Sequence, residues 1–217
     1  MCPQIVSAPD RRIPARGLGF FMRTANNLSL PESLAELVDP KRPGLLVYDM
    51  QTGIVPFVQE GERVKDVVRV LVRRARQRGV PVFFSSHFAG PLKNAGVAQL
   101  RSAMRFQGSP EYQLVPGMEQ EPHDIVFDKF GMSFFVGTPL ESYLRDLDVL
   151  SVIIVGCVAE IGIEPTVMRA MDRGFFTVAV ADPCGSLNAA NHSKVMDSMG
   201  KTGLVTNAQS IIEAWNV

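Results

Sequence analysis

Cysteine is scarce in this chain. Cys2, Cys157 and Cys184 are the three present, too few and too scattered for a disulfide framework. A surplus of one charge is missing too: 22 Lys and Arg residues balance 22 Asp and Glu. That leaves no basic excess for a nucleic acid or an acidic membrane surface. No apolar run is long enough to span a bilayer. The opening segment, MCPQIVSAPDRR, lacks the apolar centre of a signal peptide. Internal repeats, low-complexity stretches and linkers are absent as well. These absences lead us to expect a cytoplasmic protein with reduced thiols, bound to neither nucleic acid nor membrane.

What is present is enough for a sizeable core: 46% of the 217 residues are hydrophobic, which suits one larger globular domain. Residues 1–28 carry Pro3, Pro9, Pro14 and Gly17 and read as an extended arm. Phe20, Phe21 and Met22 give it something to bury, either on a partner subunit or over a sheet edge. We therefore expect a homo-oligomer, a dimer or tetramer. Residues 29–38 read as a short helix capped by Ser29, with Pro31 and Glu32 in its first turn. The expected division is 1–43 for arm and helix, and 44–217 for the main domain.

From Gly44 onward, strands and helices alternate. Apolar runs at 44–50, 80–86, 125–127, 151–155, 176–181 and 204–205 predict strands. Helical periodicity falls at 62–78, from a capping box of Thr138 and Glu141 to 146, beyond Gly162, at 189–199 and at 208–215. This order implies an α/β fold with a parallel sheet covered on both faces and joined by right-handed crossovers. The arginines of 62–78 lie outside its apolar stripe, as a solvated face would.

Candidate site residues collect at strand ends, where open α/β sheets place their sites. Asp49 ends the first main strand. A buried carboxylate there is costly unless paired; it either caps the next turn or exchanges a proton. Gln51 follows it. His87 lies just past the second strand, as a pocket or a turn residue. Lys129 ends the third strand and would offset Asp49 if the two meet. Phe134 and Phe135 could wall the pocket. Between His87 and Asp124, Arg101 and Arg105 stand at helical spacing, for surface pairs or for an anionic substrate. The turn after Val155, containing Val158, Ala159, Glu160, Ile161 and Gly162, leads into a helix with Pro165 in its first turn. Its N–H groups could face an anion.

LLVYDMQ around Asp49, DKFGMSFF around Lys129 and the turn GCVAEIG, in that order, resemble the isochorismatase-like hydrolases, from about Leu34 to the C-terminus. The resemblance implies a three-layer α/β/α, Rossmann-like fold with a mainly parallel sheet of about six strands. Most members use an Asp–Lys–Cys triad. Asp49 and Lys129 match its first two places, and Gly162 stands at the third, so the nucleophile position is vacant. True isochorismatases are similar in Ala159, Gly162, the DMQ run and the Lys129, Ser133, Phe135 spacing. They cleave a vinyl ether without a covalent intermediate, and a glycine there leaves room for a ring and a water. The chain departs from them at Val158 and Glu160, where they have an aromatic residue and His, and at His87, where they have Gln. Nicotinamidases place Asp-x-His for a metal, which is not found after Asp49, so no metal and no cofactor is expected. The family's non-proline cis peptide would fall at Val158–Ala159.

The resemblance therefore implies a hydrolase whose partner is a small organic, small-molecule substrate and which acts by acid–base chemistry without a covalent thioester intermediate. Asp49, Lys129 and the vacant Gly162 form its centre. Gln51, His87, Phe134, Phe135, Val158, Ala159, Glu160, Ile161 and Arg105 are its candidate substrate contacts. Vinyl-ether hydrolysis is favoured; an amide hydrolase using water activated by Asp49, and an inactive small-molecule-binding homologue, are the alternatives. Cys157 is expected to be a buried structural thiol.

Overall fold

The computed structural model describes residues 23–25, 28–31, 33–39, 41–87, 96–97 and 109–216. The chain divides into two units, Met1–Glu32 and Ser33–Val217. In the first, β1 (Arg23–Ala25) pairs antiparallel with β2 (Leu28–Leu30). Ser29 therefore sits in a strand and caps no helix. The short helix α1 is Leu34–Leu37, and Ser33 caps it in a reciprocal box with Glu36. This helix belongs to the larger unit, so the division falls before it and not after residue 43. Trp215 Nε1 donates to the carbonyl of Val38 at 2.7 Å, fastening the helix end to the close of the chain.

The larger unit is built on β3 (Pro43–Tyr48), β4 (Val82–His87), β5 (Ile125–Lys129), β6 (Ser151–Cys157), β7 (Phe176–Gly185) and β8 (Leu204–Thr206). They form one six-stranded sheet in the order β5-β4-β3-β6-β7-β8, every pair parallel. β3 and β6 are buried along their whole length because helices cover both faces. Alternation along β3 sorts the core. Leu45 and Val47 join α2 (Gly61–Gln77) and α6 (Ala208–Ala214) on one face. Leu46 and Tyr48 join α3 (Leu140–Asp146), α4 (Glu164–Asp172) and α5 (Ala189–Gly200) on the other. The expected three-layer α/β/α architecture is the one observed.

α2 buries Val64, Val68, Leu71, Val72 and Ala75. Of its arginines, Arg76 leaves the solvated face: it pairs with Asp124 at 2.5 Å and Glu121 at 2.9 Å, holding the approach to β5. At α3 the expected capping box does not form. Thr138 Oγ1 donates to the carbonyl of Phe134 at 2.5 Å, and Pro139 occupies the cap position. Asp182–Gly185 extends β7 beyond the apolar run 176–181, past an irregularity opposite Val155.

From β3 the chain builds β4 and β5 to one side, then returns to build β6, β7 and β8 on the other. The crevice beyond the C-terminal ends of β3 and β6 is therefore the topological switch point. The two strands approach closely there: a Cβ on Gly156 would lie 2.2 Å from the Tyr48 carbonyl oxygen, and its φ is +119°. Among the described residues, no helix is long and apolar enough to cross a membrane.

Candidate active site

Asp49 leaves β3 with φ 44°, a left-handed turn that Asp tolerates better than most residues. The turn swings its carboxylate toward β4 and β5. Lys129 Nζ lies 2.7 Å from Oδ2, and both side chains are almost wholly buried. Ser85 Oγ donates to Oδ1 at 2.6 Å. Lys129 reaches across from β5, where it is paired in register with His87 of β4. Its ammonium also donates to the Gly131 carbonyl at 3.3 Å and stands 4.2 Å from the centre of the Tyr48 ring. Burial lowers the Lys129 pKa against the opposing pull of Asp49. His87 is lowered by burial and then by the Lys129 charge, with Asp49 opposing. Tyr48 is raised well above its ordinary value, first by burial and then by the Asp49 charge.

Asp49, Lys129 and His87 line a cavity of about 200 Å³. Its walls are Tyr48, Gly53, Ile54, Phe57, Met132, Cys157, Val158, Ile161 and Leu187. The mouth is apolar: Phe57 is 60% exposed, Leu187 46%, Ile161 42% and Met132 40%. The cavity thus offers a polar floor beneath a greasy rim, the arrangement expected of a small-molecule site. Among the described residues, no group of three His, Cys, Asp or Glu side chains could hold a metal.

Cys157 lines the cavity, yet it is fully buried and belongs to the core cluster that contains Met50. Its Sγ is 3.9 Å from Met50 Sδ. Burial, countered by a hydrogen bond from the Gly185 backbone and reinforced by the Asp49 and Glu160 charges, pushes its pKa up to about 12. A thiol so placed holds its proton at neutral pH. Cys184 is raised by burial likewise.

Several expected contacts sit elsewhere. Gln51 is fully buried behind the site. Its Nε2 donates to the carbonyls of Tyr112 at 2.8 Å and His87 at 3.3 Å, and its Oε1 accepts from the His87 N–H at 2.7 Å. It splints the ends of β3 and β4 to the 110–115 segment. Phe134 packs edge-on against Tyr48 and Phe127, with centroids 6.4 and 6.3 Å apart, and Phe135 lies against Phe175. Both are core residues; Met132 provides the wall they were expected to form. Ala159 is buried in the same core. Arg101 and Arg105 lie outside the described residues.

The turn after β6 differs most from expectation. Its cis peptide joins Cys157 and Val158, one residue earlier than predicted. Residues Ala159–Ile163 form a π-helical turn. The N–H groups of Ile161, Gly162 and Ile163 all donate to the Val158 carbonyl, at 3.3, 2.9 and 3.2 Å. All three are thereby engaged within the turn. The Glu160 carboxylate takes hydrogen bonds from its own N–H, Ser186, Leu187 and Asn191. Burial raises its pKa, but these donors outweigh that and leave it below the usual carboxylate range. Glu160 therefore anchors the segment carrying Leu187 and does not line the cavity. Val158 and Ile161 do line it.

Gly162 is not vacant space. A Cβ there would fall 2.1 Å from the Tyr48 hydroxyl oxygen and 2.2 Å from Cζ. Tyr48 and Ser85 went unrecognised in the sequence. Their signals were a phenol in an aliphatic strand beside Asp49, and a hydroxyl two positions before His87.

The pattern of the isochorismatase domain matches residues 43–210. The chain belongs to the isochorismatase family and is a hydrolase of that group. It is 26% identical over 186 residues to the uncharacterized isochorismatase family protein YecD of Escherichia coli O157:H7, covering 82% of this chain and 98% of that one. Enterobactin synthase component B of Escherichia coli K12 is 28% identical over 186 residues, covering 81% of this chain and 64% of its own length. The fold is similar to that of a cysteine hydrolase from Pseudomonas syringae pv. phaseolicola 1448A, with a TM-score of 0.74, 21% identity, and coverage of 82% and 93% of the two chains.

Proposed function

We propose that this protein hydrolyses a small organic substrate by acid–base chemistry, without a covalent intermediate, and that the bond cleaved is of the vinyl-ether type. The observation that carries this reading is the 2.7 Å contact between Asp49 and Lys129 at the cavity floor. The pair holds one movable proton, because burial loosens the grip of the Lys129 ammonium on it. Asp49 gives that proton to the enol-ether carbon, whose π electrons form the new C–H bond. The ether oxygen stabilises the cationic carbon that results. Water adds to this carbon and returns a proton to the Asp49 carboxylate. The hemiketal then breaks its C–O bond to release a carbonyl compound and an alcohol. The turn amides support this choice, since a reaction that builds positive charge needs no oxyanion site, and the amides of 161–163 are engaged by Val158.

A second reading, hydrolysis of an amide by water activated at Asp49, is favoured by the donors on both carboxylate oxygens, Ser85 and Lys129. A panel of vinyl ethers and amides run in D2O separates the two. The first reading expects one deuterium on the carbon beside the new carbonyl; the second expects release of the amine. Asp49→Asn is expected to lower turnover by about a hundredfold or more in either case; full retained activity refutes the assignment. No turnover, together with ligand-dependent thermal stabilisation, would make the chain a binding protein.

A further inference from the structure

The Lys129 ammonium has three donors, and three groups face it: Asp49 Oδ2 at 2.7 Å, the Gly131 carbonyl at 3.3 Å and the Tyr48 ring at 4.2 Å from its centroid. The ring cannot drift from this place. Its hydroxyl donates to the Met132 carbonyl, its edge meets Phe134, and its outer end fills the space where a Cβ on Gly162 would stand, 2.1 Å from the hydroxyl oxygen. We propose that Tyr48 is a positioning residue for Lys129, presenting a ring face that holds the ammonium toward Asp49, and that residue 162 is glycine in order to admit this ring. The proposal rests on the reading of Asp49 and Lys129 as the proton-exchanging pair. It adds that the shape of the cavity floor is set by a residue of β3 and not by the turn after β6.

A cation held over an aromatic face is stabilised in its charged form. Removing the ring therefore lowers the titration midpoint of the ammonium. The test follows the Lys129 side-chain nitrogen by NMR in protein labelled with 15N-lysine, which needs no substrate and so stands apart from the fate of the proposed reaction. Tyr48→Phe keeps the ring and is expected to leave the Lys129 midpoint within ~0.3 pH unit of wild type. Tyr48→Leu is expected to lower it by about one unit. Gly162→Ala, which displaces the ring without deleting it, is expected to lower Tm by roughly 5 °C. The double variant Tyr48→Leu, Gly162→Ala is expected to recover at least half of that loss relative to Tyr48→Leu alone. An unmoved midpoint in Tyr48→Leu, or an equal shift in Tyr48→Phe, overturns the positioning role. A Gly162→Ala protein as stable as wild type overturns the size match.

Discussion

Ser85 Oγ donates a hydrogen bond to Asp49 Oδ1 at 2.6 Å while accepting one from the Asp49 backbone N–H at 3.2 Å. One hydroxyl thus fixes both the turn at the end of β3 and the carboxylate that the turn delivers. Because Ser85 is fully buried, no water can replace it cheaply. Ser85→Ala leaves a carboxylate oxygen short of a partner, while the Asp49 amide keeps the Ser85 backbone carbonyl at 3.2 Å, a loss of about 1–3 kcal/mol. A fall in Tm of roughly 2–10 °C is expected, with about tenfold lower turnover on whichever substrate the panel identifies. Unchanged values for both would show that Ser85 is dispensable.

Removing Lys129 leaves the buried Asp49 carboxylate without its ion-pair partner. Lys129→Met strands a negative charge at the cavity floor, at a cost of about 3–5 kcal/mol. Asp49→Asn together with Lys129→Met removes both charges and is expected to be more stable than Lys129→Met alone. Urea denaturation of the single and double variants measures the coupling, and strict additivity would mean that the pair contributes nothing jointly.

The buried thiols set an alkaline limit. Cys157 has its pKa pushed from 9.0 up to about 12, so the native state keeps a proton that the unfolded chain gives up. The stability this confers is complete below about pH 9 and is lost as pH rises toward 12. In the native protein at pH 8, iodoacetamide is expected to leave Cys157 and Cys184 unmodified while labelling both after unfolding. Rapid native labelling of Cys157, located by mass spectrometry, would bring a thiol mechanism back into play.

His87 is expected to titrate below 6.5, held down by burial and by the Lys129 charge. Since the unfolded chain binds that proton more readily, stability falls as pH drops from 6.5 through the native midpoint. In Lys129→Met, the His87 midpoint is expected to move up toward 6.5, read from its ring nitrogens by NMR. No movement would mean that the two side chains do not sense each other's charge.

The fold was legible because its signals are local: buried parallel strands are apolar runs, and helices between them carry one apolar stripe. Asp49 and Lys129 were legible for the same reason, each a charge ending such a run. Orientation was not. Gln51, Phe134 and Phe135 lie within a few positions of site residues, yet their side chains turn into hydrogen bonds and core contacts that depend on neighbouring strands. Thr138 and Ser33 each precede a Glu by three residues, and only Ser33 forms the capping box. The partnership of Tyr48 with Gly162 joins β3 to the turn after β6, and no pattern within either segment announces it. It depends on β3 and β6 lying side by side.

The strand that supplies Lys129 is held by a single neighbour, because β5 ends the described sheet and pairs with β4 alone. Terminal strands open more readily than central ones. Each excursion of that margin carries the ammonium off the carboxylate while the interior stays closed. Heating is therefore expected to silence the enzyme some degrees before it melts, with the amides of β5 exchanging ahead of those in β3 and β6.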